Sequence, residues 1–400
     1  MIWTESIFDL GVKPPREGEL SGLSLGIIAV THKENERRLP IHPEHLDRID
    51  KDVAAQIYLE RGYGEQFGIS DKKLARSVAG IRSRAELIAE CDVILLAKPD
   101  ADDLAELRDG QVLWGWPHCV QDAELTQRAI DSRLTLIAFE AMNLWRKDGS
   151  FKLHVFHKNN EMAGYCSVFH ALELIGSTGT YGRRLRAAVI GFGATARGAV
   201  TALNAVGIHD IDILTNRNVA EVASPIHSAE IVQFESGDDG SSFALTDDGR
   251  VPLAGFLAEH DVIVNCVLQD PNAPLVFLAE DDLESFRPGS LLIDVSCDEA
   301  MGFTWARPTT FDDPAFTVGN NITYYAVDHS PSYLWNAATW EISEALIPYL
   351  PTILGGPSEW DDDETVRRAI EIREGSIVNP DILAFQDREA EYPHVRKDAG

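Results

Sequence analysis

No stretch of the chain approaches the roughly 20 consecutive apolar residues that span a bilayer. The N-terminus has no basic segment followed by an apolar run, so no secretory leader is expected. Positive charge is scarce: 35 Lys and Arg stand against 64 Asp and Glu, a formal net charge of −29. So acidic a surface repels phosphate backbones and anionic lipid headgroups, and neither nucleic acid nor membrane is expected as a partner. Cysteine is also sparse. Cys91, Cys119, Cys166, Cys266 and Cys297 are odd in number, widely spaced and without a C-x-x-C pair. That pattern is neither a disulfide framework nor a zinc site, so no metal is expected, and it fits a reducing cytoplasm. Internal repeats and low-complexity linkers are absent.

What remains is material for packed cores. The 400 residues are 44% hydrophobic, too long a chain for one ordinary core, which predicts two domains. Strand-like runs alternate with amphipathic helical stretches. LSLGIIAV (23–30), AAQIYLE (54–60), DVILLAK (92–98), QVLWGW (111–116) and LTLIAFE (134–140) read as strands, with helices at 83–91 and 122–132. A second series follows a helix candidate at 160–176: RAAVIGFG (186–193), DIDILTN (210–216), AEIVQFE (229–235), DVIVNCV (261–267) and SLLIDVS (290–296). Such alternation predicts parallel α/β sheets covered on both faces. The polar stretch 235–251 reads as a loop or exposed hairpin. Helix is expected again over 339–354 and over TVRRAIEIREG (365–375), and these C-terminal helices are expected to return to the first domain.

The strongest local motif runs from the strand RAAVI through Gly191-Phe192-Gly193-Ala194-Thr195-Ala196 into a helix. Strand, G-x-G-x-x-A and helix in that order form a dinucleotide fingerprint. Gly191 permits the tight turn, Gly193 lets backbone approach a pyrophosphate, and Ala196 allows close strand–helix packing. The anion then sits on the N–H groups of the helix start, at Ala194, Thr195 and Ala196. At the end of the next strand an NAD site usually carries an acid that bonds the ribose. Here Thr215, Asn216 and Arg217 stand in that place. A neutral end followed by arginine suits a 2′-phosphate, so NADP is expected over NAD.

The first series has no glycine fingerprint, but it sets ionisable residues after its strands. Arg38 lies in THKENERRLPIHP (31–43), Lys98 follows DVILLA, and His118 follows QVLWGWP. The C-terminal ends of strands are where open α/β sheets place their sites. Together these segments, with RPTTFDDPAF (307–316), resemble the alanine dehydrogenase and transhydrogenase superfamily. FHKNNEMAGYCSVFHALELIG (156–176), YGRRLRAAVIGFGATARGAVTAL (181–203) and AIEIREGSIVNPDILAFQDR (369–388) look like its N5-(carboxyethyl)ornithine synthase branch. YAVDHSPSYL (325–334) is similar to a segment of lysine-forming saccharopine dehydrogenases. The resemblance covers about Leu23 to Arg388.

The resemblance implies an α/β protein of two Rossmann-like domains with parallel sheets flanking a cleft. Residues 1–158 with 330–400 would form the catalytic domain, and 159–329 the dinucleotide domain. It implies that Arg38 holds a keto-acid carboxylate, that Lys98 and His118 move protons, and that Asp298 is catalytic. Asp328 and His329 are expected at the substrate. Trp114, Trp116 and Pro117 depart from the alanine dehydrogenase pattern before the histidine, and Asp328-His329-Ser330-Pro331-Ser332 departs after the last nucleotide-domain strand. Both departures point towards a substrate with a second amine-bearing part, and Trp114 and Trp116 are expected to form a rim beside His118. The reaction expected is NADPH-dependent condensation of a pyruvate-like keto acid with an amino-acid amine to an opine-type secondary amine. The alternatives are an alanine-type oxidative deaminase and a non-catalytic nucleotide-binding sensor. Homo-oligomers are expected, as relatives of this kind assemble through their nucleotide domains.

Overall fold

The computed structural model describes residues 22–216, 229–237, 241–267 and 274–397. The chain forms two compact units, Met1–His157 with Trp335–Gly400, and Lys158–Leu334.

The first unit is built on an eight-stranded sheet. Six strands run parallel: β1 (Leu25–Ile27), β2 (Ile57–Glu60), β3 (Gly80–Arg82), β4 (Val93–Leu95), β5 (Val112–Gly115) and β6 (Thr135–Ala138). Their spatial order is β3-β2-β1-β4-β5-β6. β1, β4, β5 and β6 are buried along their whole length, as the continuous apolar runs require of strands covered on both faces. In AAQIYLE the strand begins only at Ile57, because Lys51–Ala54 is a helical turn capped by Asp50. The helix Arg84–Glu90 starts at a capping box, in which Glu86 N–H donates to the Ser83 hydroxyl and Ser83 N–H donates to the Glu86 carboxylate. The helix Ala123–Asp131 buries Leu125, Ala129 and Ile130, one face at helical spacing.

At the C-terminus the expectation of one helix over 365–375 is corrected. Glu364–Ala369 is helical, but Ile370–Arg373 is a strand antiparallel to β6, and Ser376–Ile377 pairs back on it. Apolar residues alternate in IEIR, and Ile370 and Ile372 are both buried beside the β6 edge. Burial there outweighs the helical propensity of the segment.

The second unit carries a nine-stranded sheet. Its parallel strands are β7 (Arg186–Ile190), β8 (Asp210–Thr215), β9 (Glu230–Ser236), β10 (Val262–Asn265), β11 (Leu291–Asp294) and β12 (Ile322–Tyr325), in the order β9-β8-β7-β10-β11-β12. Among the described residues of the polar stretch 235–251, Ser242–Thr246 and Gly249–Pro252 form antiparallel strands that extend the sheet beyond β9. The helices His157–Leu174 and Ala194–Ala205 meet backbone to backbone. A Cβ on Gly198 would lie 1.7 Å from the Glu161 carbonyl oxygen, and one on Gly164 would lie 2.0 Å from that of Thr195.

Each sheet reverses its winding once, between β1 and β4 in the first unit and between β7 and β10 in the second. Such switch points leave a crevice at the carboxyl ends of the strands, where ligands of doubly wound sheets bind.

Candidate functional site

In the second unit, Gly191 follows β7 directly, with φ at +113°. A Cβ there would stand 3.1 Å from the Cys266 carbonyl oxygen beyond β10. Only glycine fits this turn at the switch point. Gly193 is the N-cap of the 12-residue helix Ala194–Ala205, and nothing lies within 4 Å of where its Cβ would be. With glycine as the cap, no capping side chain competes for the first-turn N–H groups. Open space, free approach and the positive end of the helix dipole suit a pyrophosphate. Ala196 is fully buried in the core. At the end of β8, Thr215 is buried and Asn216 exposed. Arg217 lies outside the described residues.

The ends of β11 and β12 add acids. Asp294 is fully buried and accepts from Tyr324 Oη (2.8 Å), Asn265 Nδ2 (3.0 Å), Ser296 N–H (3.2 Å) and Cys297 N–H (3.3 Å). This bracket bends the chain as it leaves β11, and Cys297 takes φ at +60°. Asp298 follows, half-buried, and desolvation pushes its carboxyl up to about 6. Burial also pushes Asp294 up to about 6 against the hydrogen bonds it accepts. After β12, buried His329 places Nδ1 2.5 Å from Asp328 Oδ1. The His329 ring meets Phe311 edge-on at 4.9 Å, and Ser330 Oγ donates to the Ala163 carbonyl at 3.1 Å.

In the first unit, Arg38 and Lys98 leave from the two strands that flank the switch point. Thr31 Oγ1 donates to the Lys98 carbonyl at 2.8 Å and ties the loop after β1 to the loop after β4. Arg38 is buried. Its Nε lies 2.9 Å from Glu36 Oε1 and its Nη2 2.5 Å from Glu36 Oε2, a bidentate pair that fixes the plane of the guanidinium. That plane lies over Trp116, 5.3 Å from the ring.

The tryptophans do not form a rim. Trp114 and Trp116 are two apart on β5 and its extension, so both point into the same core, where Phe139 packs edge-on against each. Trp116 supports Arg38 from beneath, and Trp114 turns its Nε1 to Met142 Sδ at 3.4 Å.

His118 adopts φ at +49°, a left-handed conformation uncommon for a residue with a Cβ. Its N–H donates to Glu140 Oε1 at 2.6 Å, and its Nδ1 lies 4.0 Å from the same oxygen. Glu140 ends β6. Burial raises its carboxyl above the usual range, the charge of Glu371 adds to this, and Lys98 opposes it. His154 Nε2 sits 3.1 Å from the Glu140 carbonyl oxygen, and burial pushes that imidazole down to about 4, so it stays neutral. The first unit therefore brings Lys98, His118 and Glu140 together. Glu36, Glu140 and Asp294 were not among the residues singled out in the sequence. Glu140 and Asp294 each stand at the carboxyl end of a strand, the same signal that marked Lys98 and His118.

Comparison with known proteins bears on both units. Residues 26–163 match the model of "Alanine dehydrogenase/PNT, N-terminal domain", and residues 175–380 match "Alanine dehydrogenase/PNT, C-terminal domain". The chain is similar to an N(5)-(carboxyethyl)ornithine synthase of Clostridium botulinum, 26% identical over 81% of this chain and 92% of that one. It is also similar to an alanine dehydrogenase of Mycobacterium tuberculosis, 25% identical over 80% and 84%. Among solved structures, an L-alanine dehydrogenase shares the fold with a TM-score of 0.71 at 19% identity, covering 91% of this chain and 99% of that one.

Proposed function

The chain belongs to the alanine dehydrogenase/PNT family, and from that premise we propose that it is an NADP-dependent oxidoreductase acting on a CH–NH bond. Its reaction joins a pyruvate-like keto acid to the amine of an amino acid. The observation that carries this is the grouping of Arg38, Lys98, His118 and Glu140 at the carboxyl ends of β1, β4, β5 and β6. A carboxylate grip and a proton-transfer pair are what imine formation needs.

The second unit holds the nucleotide. Gly191, Gly193 and the first turn at Ala194, Thr195 and Ala196 take the pyrophosphate, and Asn216 with Arg217 takes the 2′-phosphate end. A nicotinamide nucleotide held there would supply a hydride for reduction of the imine carbon. Arg38, oriented by Glu36 and Trp116, holds the keto-acid carboxylate and sets the carbonyl beside Lys98 and His118. The incoming amine sheds one proton to become nucleophilic, and the carbinolamine oxygen gains one to leave as water. Lys98 and His118 carry those protons. Asp298, in the turn that Asp294 braces, takes the catalytic role on the nucleotide unit that the family resemblance implies. Asp328 and His329 bind the second amino acid: His329 Nδ1 pairs with Asp328 Oδ1, and the carboxylate faces a substrate ammonium. Support for this two-substrate reading over an alanine-type deaminase comes from Trp116 at Arg38, from the Asp328-His329 pair, and from the carboxyethylornithine synthase similarity.

Crossing a panel of keto acids with amino acids and ammonia, and following NADPH absorbance, tests the proposal. NADPH consumption that needs both a keto acid and an amino acid is expected. Consumption with ammonia as the preferred amine would assign the deaminase reaction instead.

A further inference from the structure

The strand Ile370–Arg373 is not a simple extension of the sheet. Ile370 pairs with Ile137 and Ile372 pairs with Leu136, so the register slips between them. Glu371 is the extra residue of a β-bulge, and its two isoleucine neighbours consequently enter different core clusters. Bulges re-aim side chains, often beside active sites. This one leaves a carboxyl only 4% exposed.

The bulge is held from outside. The Glu371 carbonyl accepts Val378 N–H (2.8 Å) and Asn379 N–H (3.1 Å), and Asn379 Nδ2 donates to Glu371 Oε1 at 3.2 Å. Among the described residues no Arg, Lys or His is paired with the Glu371 carboxyl. Its Oε2 is buried without a hydrogen-bond partner, and so is Glu140 Oε2. Glu371 is buried and Glu140 partly buried, and an unpartnered buried oxygen on each makes it costly to charge both. The groups that face them are few. His118, Lys98, His154 and Glu371 surround Glu140, while Cys119 and Asp381 join it around Glu371. Burial and the Glu371 charge raise Glu140, and burial raises Glu371 as well, so the pair resists ionising together.

We infer that Glu371 is a positioning residue for proton transfer at His118, acting through Glu140. This rests on the proposed role of His118. The Glu371 charge keeps Glu140 protonated, and a neutral Glu140 spares the His118 imidazole a carboxylate charge 4.0 Å from Nδ1. His118 then releases its proton more readily. Burial and the Glu371 charge both raise Glu140, which is the direction this requires.

The sign of the effect is determined. In Glu371→Gln the repelling charge is gone, so Glu140 ionises at lower pH. The new negative charge favours the imidazolium, and the pH at which His118 becomes neutral rises. The test uses the full-length protein with side-chain NMR titration of His118, assigned by the signal lost in His118→Asn, beside the pH profile of kcat/KM. Both midpoints should move up in Glu371→Gln by at least about half a pH unit, since charges near 4 Å interact strongly even in a moderately polar interior. Glu371→Asp, which keeps the charge, should restore the wild-type midpoints. Glu140→Gln added to Glu371→Gln should abolish the shift, which a merely structural role for Glu371 would not do. An unmoved NMR midpoint in a folded Glu371→Gln overturns the inference. An NMR midpoint that moves while the rate profile stays fixed overturns instead the assignment of proton transfer to His118.

Discussion

Single carboxylates placed against single cations set the chemistry at the strand ends. Arg38 is the clearest case. Glu36 takes its Nε–Nη2 edge and Trp116 supports its plane, so the guanidinium is held before any ligand arrives. A group pre-oriented in this way loses little entropy on gripping a second carboxylate. Replacing Arg38 with Ala should raise the KM for the keto acid by about tenfold or more, because a charge-assisted contact contributes roughly 1.5–3 kcal/mol. Affinity for NADPH, proposed to bind the second unit, should stay within about threefold. Steady-state kinetics with direct nucleotide titration measure both, and an unchanged KM would reduce Arg38 to a packing role. Arg38, Lys98 and His118 stood out in the sequence as ionisable residues after apolar strands, and the roles expected of them came from the family resemblance. Glu36 did not stand out, because an acid two residues from an arginine has no distinctive spacing. Glu140 and Glu371 were hidden for another reason. One lies at the end of a strand read only for its apolar residues, and the other sits at a bulge that pairing, not composition, creates.

At the scale of elements, the sequence disclosed most of what short-range chemistry decides. The strand–glycine–helix order around Gly191 and Gly193 is visible in the residues because the turn itself demands glycine. The helices at 83–91 and 122–132 were legible from their amphipathic patterns, and in the fold they open on the Ser83 capping box and the Asp122 N-cap. Long-range pairing was less legible. AIEIR reads as helix from its neighbours, and only the unsatisfied edge of β6 makes it a strand. The contact between helices His157–Leu174 and Ala194–Ala205 was also silent, since nothing in the spacing of Gly164 and Gly198 says that they face a backbone. That contact is testable. Ala in place of Gly within an exposed helix usually stabilises by about 1 kcal/mol. At position 198 the added Cβ would lie 1.7 Å from the Glu161 carbonyl oxygen, which backbone movement alone can relieve. Overpacking of this kind costs roughly 1–3 kcal/mol, and Gly198→Ala should lower the thermal midpoint by roughly 3–10 °C. A midpoint at or above the wild-type value would show that the helices separate freely.

The whole molecule divides its labour between two sheets of the same winding, β3-β2-β1-β4-β5-β6 and β9-β8-β7-β10-β11-β12. Only one of them carries the glycine fingerprint. The other sets Arg38, Lys98, His118 and Glu140 at its strand ends. This asymmetry is the reason for assigning the nucleotide to one unit and the keto acid to the other, and it was readable from the two alternating series in the sequence. The cofactor's phosphate preference was readable only as residue types, because Arg217 lies outside the described residues. The reaction proposed for the protein forms a C–N bond at a keto acid's α-carbon by reduction. It is tested most directly by supplying NADPH deuterated at the transferable nicotinamide position, with pyruvate and the amino acid that the panel selects, and analysing the product by mass spectrometry and NMR. The expected product is a secondary amine whose mass equals the two substrates less water plus one deuterium and one hydrogen. The deuterium should sit on the carbon between the new nitrogen and the pyruvate-derived carboxylate. Deuterated alanine as the product, formed with ammonia and independent of any amino acid, would contradict it.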